Sequence, residues 1–466
     1  MSYEKLIFSD SVYEGDAVDG KPNGKGKKTL RSGSVYEGDF VNGRLHGKGK
    51  KTFADGNVFE GDFVNGEPQG QIKMTFNNGD EYEGGFFNGK PHGKGKRIVQ
   101  IYEGCKVYYE GDFVNGLMHG IGKDLSALGD IYEGEFYKGE KRGKGKIIHP
   151  NGDVSEGEFF KGYLQGRGIH TFANGDVYEG HFSSGHRAGH GKLSYADGCV
   201  YTGDFLLNKF HGKGKFTWAD GDVYEGDWVQ DVKTGKGKYS WPDGDVYEGE
   251  WADGKRTGKG KMTYASGFVL EYECDFVDGQ KTGKGKMKTS NGITYEGDHA
   301  DGKWHGKGKM TGPDGGVYEG DFANDKMHGK GKLTNLDGDI FECNFDNDNM
   351  INGTLTYANG AVYTGVFEDG QPHGKGIKKC ADGGFYEGDF AGGVFHGKGK
   401  MSYPSGSFYD GDWANGLPHG RGKVPCPDDA LPPDGGEVNK FPPGKRPEGT
   451  YGVVREGEWR NGEFLG

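Results

Sequence analysis

The sequence lacks long apolar runs and a targeting segment. No stretch of about 18 apolar residues is present, which argues against a transmembrane helix. The opening residues, MSYEKLIFSD, show no basic segment followed by an apolar one, so no secretory signal is visible. Hydrophobic residues make up only 32% of the 466 residues, and a large globular core is not expected. The simplest expectation is a cytoplasmic protein.

Basic residues and paired cysteines are also scarce. The formal net charge of −12 disfavours a general nucleic-acid-binding protein, which would carry a basic stripe. The six cysteines contain no CxxC pair. Cys274 and Cys343 hold the same place in units three repeats apart, which predicts a separation of roughly 29 Å, far beyond the reach of a disulfide. Reduced thiols and no nucleic-acid partner are therefore predicted.

Glycine is abundant instead, with 94 residues, and aromatic residues make up 13% of the chain. Both recur in a unit whose template is Tyr36–Phe53, usually 23 residues apart, and a fixed period predicts an array of units that contact their neighbours. Eighteen units open at residues 13, 36, 59, 82, 109, 132, 155, 178, 201, 224, 247, 272, 295, 318, 341, 363, 386 and 409.

Each unit has the pattern of one β-hairpin. An aromatic residue, Gly and Phe or Trp at spacing two share one face of a strand. Asn42–Gly43 favours a tight hairpin turn, and GKGK forms the return strand. An odd period requires one turn with an even loop and one with an odd loop, or a bulge. With an even loop at Asn42–Gly43, Glu37 would face Lys48 and Tyr36 would lie beside Gly49.

The predicted fold class is all-β, an elongated array of about 18 stacked antiparallel β-hairpins. Residues 1–12 form a lead-in segment and 13–423 the array, with irregularities near 98–108, 265–272 and 345–353. Residues 424–454 form a proline-rich loop or linker, because proline cannot donate to a ladder. A degenerate half-repeat at 455–466 restores the pattern as a terminal cap.

The stretch YEGDFVNGRLHGKGK and its copies resemble the MORN repeat, named for membrane occupation and recognition nexus. The resemblance covers about residues 13–423 and implies stacked hairpins. Such repeats occur alone in cytoskeletal scaffolds of protists and in radial spoke heads of cilia. They also occur joined to other domains in junctophilins, plant phosphatidylinositol phosphate kinases and a histone lysine methyltransferase. This chain is similar to the repeats-only type, which implies a cytoskeletal or ciliary setting.

The residue types that support catalysis or metal binding recur from unit to unit, which favours structural roles. The histidines at position ten, such as His46, would lie about 9–10 Å apart in neighbouring units, too far to share zinc. GKGK lacks the spacing and context of a phosphate loop. Glu37 and Asp39 recur as a solvated charge row. No nucleophile–base–orienter set confined to one unit is visible, so no catalytic, metal or cofactor site is predicted and the protein is expected not to be an enzyme.

Two binding surfaces remain as hypotheses for this non-enzymatic scaffold or spacer. In the first, protein partners contact the groove of aromatic residues or the exposed end strands, and a homodimer forms through a terminal region. In the alternative, the lysine ladder binds anionic phospholipids such as phosphoinositides and tethers a membrane to the cytoskeleton. The candidate partner-binding aromatics are Tyr36, Phe40, Phe63, Tyr82, Phe86, Tyr224, Trp228, Tyr247, Trp251 and Trp413. The candidate lipid-contacting lysines are Lys48, Lys50, Lys94, Lys96, Lys213 and Lys215.

Overall fold

A computed structural model describes residues 2–426 and 453–465. Within these ranges every regular element is a β-strand. The chain divides into two compact units, Met1–Lys233 and Thr234–Gly466. In each unit the strands follow the chain as a meander, and paired strands are antiparallel neighbours in sequence. The predicted all-β array of stacked hairpins is confirmed.

The first unit contains twenty strands. They are β1 Ser2–Ile7, β2 Ser11–Val18, β3 Lys21–Leu30, β4 Val35–Val41, β5 Arg44–Thr52, β6 Val58–Val64, β7 Glu67–Thr75, β8 Glu81–Phe87, β9 Lys90–Tyr102, β10 Cys105–Val114, β11 Leu117–Leu125, β12 Ile131–Tyr137, β13 Glu140–Ile148, β14 Val154–Phe160, β15 Tyr163–Thr171, β16 Val177–Ser183, β17 His186–Ser194, β18 Val200–Leu206, β19 Lys209–Thr217 and β20 Val223–Val229.

The second unit contains the remaining strands, and the first of them begins two residues before the unit boundary. They are β21 Val232–Ser240, β22 Val246–Ala252, β23 Lys255–Thr263, β24 Val269–Val277, β25 Gln280–Thr289, β26 Thr294–Ala300, β27 Lys303–Thr311, β28 Val317–Ala323, β29 Lys326–Thr334, β30 Ile340–Asp346, β31 Asn349–Thr356, β32 Val362–Glu368, β33 Gln371–Lys379, β34 Phe385–Ala391, β35 Val394–Ser402, β36 Phe408–Ala414, β37 Leu417–Cys426, β38 Val453–Arg460 and β39 Glu463–Phe464.

The two turns of a repeat differ in parity, as the odd period requires. Asn42–Gly43 is a two-residue loop with positive φ at both positions, whereas residues 53–57 form the five-residue loop before β6. Within the longer loop, the N–H of Gly56 donates to Phe53 O at 2.9 Å. Consecutive leading aromatics therefore share one face of the sheet.

The hairpin register differs from the sequence prediction. A bulge follows the glycine of β4, between it and the second aromatic. Glu37 consequently pairs with Lys50 instead of Lys48, and Tyr36 no longer lies beside Gly49. The predicted register was wrong because it assumed that the pairing next to the two-residue turn continues without interruption. In the structure, extra residues of β5 form a bulge and shift the pairing.

The irregular stretches change strand length and pairing without ending the meander. The extra residues near 98–108 lengthen β9 and β10, which carry a bulge beside Cys105. The extra residues before Tyr272 produce a bulge between Val269 and Glu271 in β24. One residue fewer near 345–353 shortens β31.

Both ends of the proposed linker lie in strands, which corrects the 424–454 boundary. β37 continues to Cys426, and β38 begins at Val453 and pairs with it. Pro425 is accommodated because the pairing of β37 with β36 has already ended at Lys423. Residues 427–452, the rest of that segment, lie outside the described residues. The predicted terminal half-repeat corresponds to the hairpin of β38 and β39.

In each compact unit, the core is a row of aromatic rings on one face of the sheet. Tyr132 contacts Phe136 of its own unit at 5.1 Å and Phe159 of the next unit at 5.1 Å, both edge to face. Tyr318 contacts Phe345 of the next unit in the same way, at 5.1 Å. Each such pair contributes about 0.5–1.5 kcal/mol beyond its area burial, so stability accumulates from unit to unit.

Candidate functional site

The predicted partner-binding aromatics lie in the core. Tyr36 is half-buried, and the other nine are between 0% and 7% exposed. The rings seal one repeat against the next and leave little area for a partner. No observation on the described residues assigns these aromatics a ligand.

The glycines explain why the rings fit so closely. The Tyr178 ring covers the paired glycines of its own hairpin, and its hydroxyl donates to His181 O at 2.9 Å. A Cβ added at Gly191 would lie 2.6 Å from Tyr178 Cε2, closer than packed carbon atoms approach. In most units, as in this one, the ring over the paired glycines is the unit's own tyrosine. The tyrosine and the first glycine are two residues apart on one face of the strand, and the second glycine is paired with the first.

The opposite face carries the predicted lipid-contacting lysines, and four of the six form ion pairs. They are Lys48 with Asp62 at 2.6 Å, Lys94 with Asp112 at 2.8 Å, Lys96 with Glu110 at 3.3 Å and Lys213 with Asp227 at 2.5 Å. Lys50 lies in register between Glu37 and Glu60, and Lys215 lies beside Glu225. This face therefore carries rows of both charges.

In several repeats one carboxylate performs two tasks. Asp62 Oδ1 pairs with Lys48 of the preceding unit, and Asp62 Oδ2 accepts the N–H of Gln71 at 3.1 Å, which closes the bulge of its own hairpin. The hydrogen bond from Lys48 and that from Gln71 hold the pKa of Asp62 below its usual value. Asp389 repeats the arrangement with Lys398 N–H and Lys375. Lysines engaged in this way are less available to a lipid surface.

The second compact unit of the chain, Thr234–Gly466, has a trough on its charged face. Its volume is about 1160 Å³, and six glycines, seven lysines and six acidic residues line it. Lys286–Glu296 at 3.2 Å and Lys309–Glu319 at 2.6 Å are ion pairs within it. The lysines are Lys259, Lys284, Lys286, Lys307, Lys309, Lys330 and Lys332, and the acidic residues are Glu273, Asp275, Glu296, Asp298, Glu319 and Glu342. The charge rows follow from the sequence pattern, whereas the position of this trough depends on the twist of the strands.

Side chains at position ten bind the turn of the next hairpin. Asn23 Oδ1 accepts the N–H of Asn42 at 3.1 Å, and Gln165 Oε1 accepts the N–H of Ser184 at 2.9 Å. His46 Nδ1 occupies the same position and accepts the N–H of Asn65 at 3.5 Å. No cluster of three or more metal-ligating residues occurs within 2–426 and 453–465. In that part of the chain, no helix is long and apolar enough to span a membrane.

One polar cluster lies where two neighbouring units meet, and the sequence did not predict it. It contains Ser155, where other units carry Tyr or Phe, with His149 and His170 in contact with its hydroxyl. The signal was visible in the sequence, since these residue types occur at these repeat positions only once. Their proximity was not visible, because His149 comes from the preceding unit.

Comparisons with known proteins agree with the repeat pattern. The family model of the MORN repeat matches seventeen stretches, and the unit opening at Phe341, which has lost a residue, is not among them. The matched stretches are 13–35, 36–58, 59–81, 82–98, 109–123, 132–154, 156–177, 178–200, 201–223, 224–246, 247–269, 272–294, 295–317, 318–340, 363–385, 386–408 and 409–428. Among curated proteins, no significant match was found.

Solved structures show only a weak likeness. The TCP domain of Drosophila melanogaster SAS-4 (dCPAP), in complex with a proline-rich motif of Ana2, is 13% identical with a TM-score of 0.23, over 37% of this chain and 86% of that one. The TCP10 domain of Danio rerio CPAP is 14% identical with a TM-score of 0.17, over 53% and 95%. Scores this low carry no functional argument. The family model matches most of the chain, and the hairpins stack in the order of the matched repeats. This protein therefore belongs to the MORN repeat family.

Proposed function

We propose that the chain is a scaffold that binds protein partners through the charged faces of its hairpins. Repeats of this family serve in general for binding rather than for catalysis. The observation that carries the proposal is the pairing of lysines with carboxylates along the described strands. A surface with both charges suits a polypeptide segment that also carries both charges.

The trough of the second unit is the best candidate for the contact surface. Lysine and carboxylate side chains alternate there above glycines, so a bound segment can approach the backbone of the sheet. Lys309 and Glu319, 2.6 Å apart, line the trough from neighbouring strands, so the charge pattern continues from strand to strand across it. Partner charges in the complementary order would set both register and specificity.

Anionic lipid binding is the alternative, and the same pairing weakens it. A polybasic surface gains about 1 kcal/mol per Lys near an acidic leaflet, but the partner carboxylate brings an opposing charge to the same surface. The net charge of −12 acts in the same direction. A cytoskeletal or ciliary location rests on family membership alone. Homodimerisation through a terminal region stays a prediction, as does the lack of nucleic-acid binding.

Proximity labelling in cells, with charge-reversed variants, tests the scaffold role. The trough variant combines Lys284→Glu, Lys307→Glu and Lys330→Glu. The matched control combines Lys25→Glu, Lys48→Glu and Lys94→Glu, at the same repeat position of the first unit. We expect a set of proteins that the wild type and the control label and the trough variant does not. Identical sets for all three forms would exclude the trough as the contact surface.

Co-sedimentation with vesicles, in moderate salt, tests the alternative. Vesicles of phosphatidylcholine, with and without phosphatidylserine or phosphoinositides, should leave the protein in the supernatant. Sedimentation that depends on the anionic lipid and is lost in the lysine variants would replace the protein-scaffold reading with the membrane one.

A further inference from the structure

The unit that opens at Ser155 is built differently from its neighbours. A serine replaces the ring that closes the other units, and Leu164 lies over the glycine pair instead: a Cβ added at Gly168 would lie 3.1 Å from Leu164 Cδ2. Ser155 is nevertheless only 7% exposed. A buried hydroxyl must be hydrogen-bonded, and its partners are side chains that no other unit supplies.

Two histidines face this hydroxyl. His149 Nε2 lies 3.3 Å from Ser155 Oγ, and His170 Nδ1 lies 2.8 Å from it. His149 occupies the repeat position of Phe172, and His170 that of Leu193. Three departures from the repeat, at separate points of the sequence, therefore meet at one oxygen atom.

The direction of the hydrogen bonds follows from the far side of His149. Its Nδ1 lies 2.9 Å from Asp130 Oδ1, and a carboxylate only accepts, so in the neutral imidazole Nδ1 carries the proton and Nε2 is the acceptor. The single hydroxyl proton of Ser155 then points to His149. His170 Nδ1 in turn donates to Ser155 Oγ, while its Nε2 lies 3.6 Å from Asp153 Oδ2, beyond hydrogen-bond distance.

Asp130 is free for this role because of a proline. In other units, the equivalent turn carboxylate accepts a backbone N–H twenty residues later: Asp153 bonds Ala173 at 2.8 Å and Asp176 bonds Ala196 at 2.9 Å. The corresponding residue for Asp130 is Pro150, which has no N–H. The carboxylate instead orients His149.

The hydroxyl and both imidazoles open on a cavity of about 560 Å³. Apolar side chains, among them Ile147, Leu164 and Phe182, line much of it, and Asn151 and Asp153 add polar atoms to its wall. Burial lowers the pKa of His170, with Asp153 opposing the effect, so this imidazole stays neutral near neutral pH. The cavity can accommodate a small, largely apolar molecule with its polar atom at Ser155.

We propose that Ser155 is a nucleophile that accepts the acyl group of a small ester of an apolar acid. His149 is the general base, Asp130 orients it, and His170 positions the hydroxyl. Ser155 Oγ forms a bond to the carbonyl carbon while its proton passes to His149 Nε2. The ester C–O bond then breaks, and the leaving alkoxide takes that proton. Water, deprotonated by His149, then attacks the acyl-serine. The ester bond to Ser155 breaks, Ser155 Oγ takes back the proton from His149, and the acid is released. This activity is additional to the scaffold role and needs no protein partner.

Covalent labelling of the full-length protein with a fluorophosphonate probe tests the proposal. Mass spectrometry of the digested protein should place the adduct on Ser155, and p-nitrophenyl butyrate should be hydrolysed. Ser155→Ala and Ser155→Tyr, the second of which restores the consensus residue, should lose both signals. No adduct on folded wild-type protein, or an adduct on another serine, would overturn the proposal.

The histidine variants separate the base from the positioning residue. His149→Phe, which inserts the consensus residue, should slow labelling about 10²-fold or more. His170→Leu should retain labelling but change the pH dependence of its rate, since it leaves the base in place. Equal rates for His149→Phe and wild type would refute the assigned base. Should either variant fail to fold, as judged by circular dichroism, the adduct site in wild type and the Ser155→Ala result still decide the proposal.

Discussion

The units that open at Tyr178 and at Ser155 have the same backbone and different interiors. Both hairpins pair glycine with glycine, Gly180 with Gly191 and Gly157 with Gly168, and both bulge directly after the first of these glycines. One covers its glycine pair with a tyrosine ring. The other covers it with Leu164 and places Ser155, at the tyrosine position, in a chain of hydrogen bonds. The repeat backbone is therefore specified by glycines and turns, and the ring is a separable contribution.

The polar interior also has a different tolerance of change. A buried ring contributes to stability through all of its contacts, and its removal lowers the free energy of unfolding in proportion to the cavity that remains. A buried network stabilises only while every member is paired, since an orphaned donor or acceptor costs about 1–3 kcal/mol. The Ser155 unit thus depends on a few specific atoms, whereas the Tyr178 unit depends on shape.

Alkaline pH should produce the largest difference between the two kinds of unit. Burial raises the pKa of the ring hydroxyls to about 12 at Tyr82, Tyr109, Tyr132, Tyr178, Tyr247, Tyr318, Tyr363 and Tyr409. The folded state keeps these protons above the ordinary value of about 10, so their stabilisation is complete below about pH 10 and is lost between about 10 and 12.

The measurement is tyrosinate absorbance together with β-sheet circular dichroism across that pH range. We expect both signals to change in one cooperative transition. The Ser155 unit has no ring at this place and contributes nothing to the transition. Ionisation of all tyrosines near pH 10 with the sheet intact would contradict the sealed interior.

Removal of one ring should come next in size. Tyr178→Ala deletes a side chain with no exposed surface and its hydrogen bond to His181 O, which predicts a loss of about 3–5 kcal/mol in unfolding free energy. Ser155→Ala removes one hydroxyl and should cost about 1–3 kcal/mol. Urea denaturation of the two variants checks the order. Equal costs would mean that the ring adds nothing beyond the backbone.

A methyl group beneath the ring should have a smaller effect that depends on the ring. Gly191→Ala places its Cβ against Tyr178 and should destabilise by about 1–3 kcal/mol. In a Tyr178→Ser background, which imitates the Ser155 unit, the same substitution should cost less, with a coupling of about 0.5–3 kcal/mol. A double-mutant cycle in urea measures this coupling. Additive costs would show that backbone strain, not ring contact, requires glycine.

Acid should have the smallest effect on the free energy of unfolding, and it should act on the unit that opens at Ser155. Burial lowers the pKa of His170, so its neutral form contributes stability that is present above its ordinary pKa of about 6.5 and is lost as the pH falls below it. Between about pH 7 and about pH 5, the urea concentration at the unfolding midpoint should therefore fall more for wild type than for His170→Leu. An identical fall in both proteins would show that His170 does not contribute.

The hairpins were predictable because their signals are local. Asn42–Gly43 requires positive φ at both positions and so fixes a two-residue turn, and residues at spacing two share a face of a strand. The bulge beside Phe40 was missed, since nothing in a single unit shows which strand accommodates the extra residues. For the same reason, the extension of β37 to Cys426 was missed: its pairing depends on β38, beyond the proline-rich segment.

The candidate sites were less predictable, since each depends on contacts between units. Phe63 and Trp228 were correctly placed on one face of their strands, yet that face is the interior. The lysines lie on the other face, and their ion pairs depend on which strands are neighbours. Ser155 departs from the repeat in the sequence, but only the structure shows that two histidines contact its hydroxyl.

The sequence by itself determined the repeat, the hairpin turns, the two faces and the family, because glycine conformation and strand alternation act over a few residues. Only the tertiary structure decided which face is buried, which charges pair and which polar residues meet. Those outcomes require residues of neighbouring units to come together across strands: the ring of Tyr132 packs on Phe159 of the next unit, and His149 reaches the hydroxyl of Ser155.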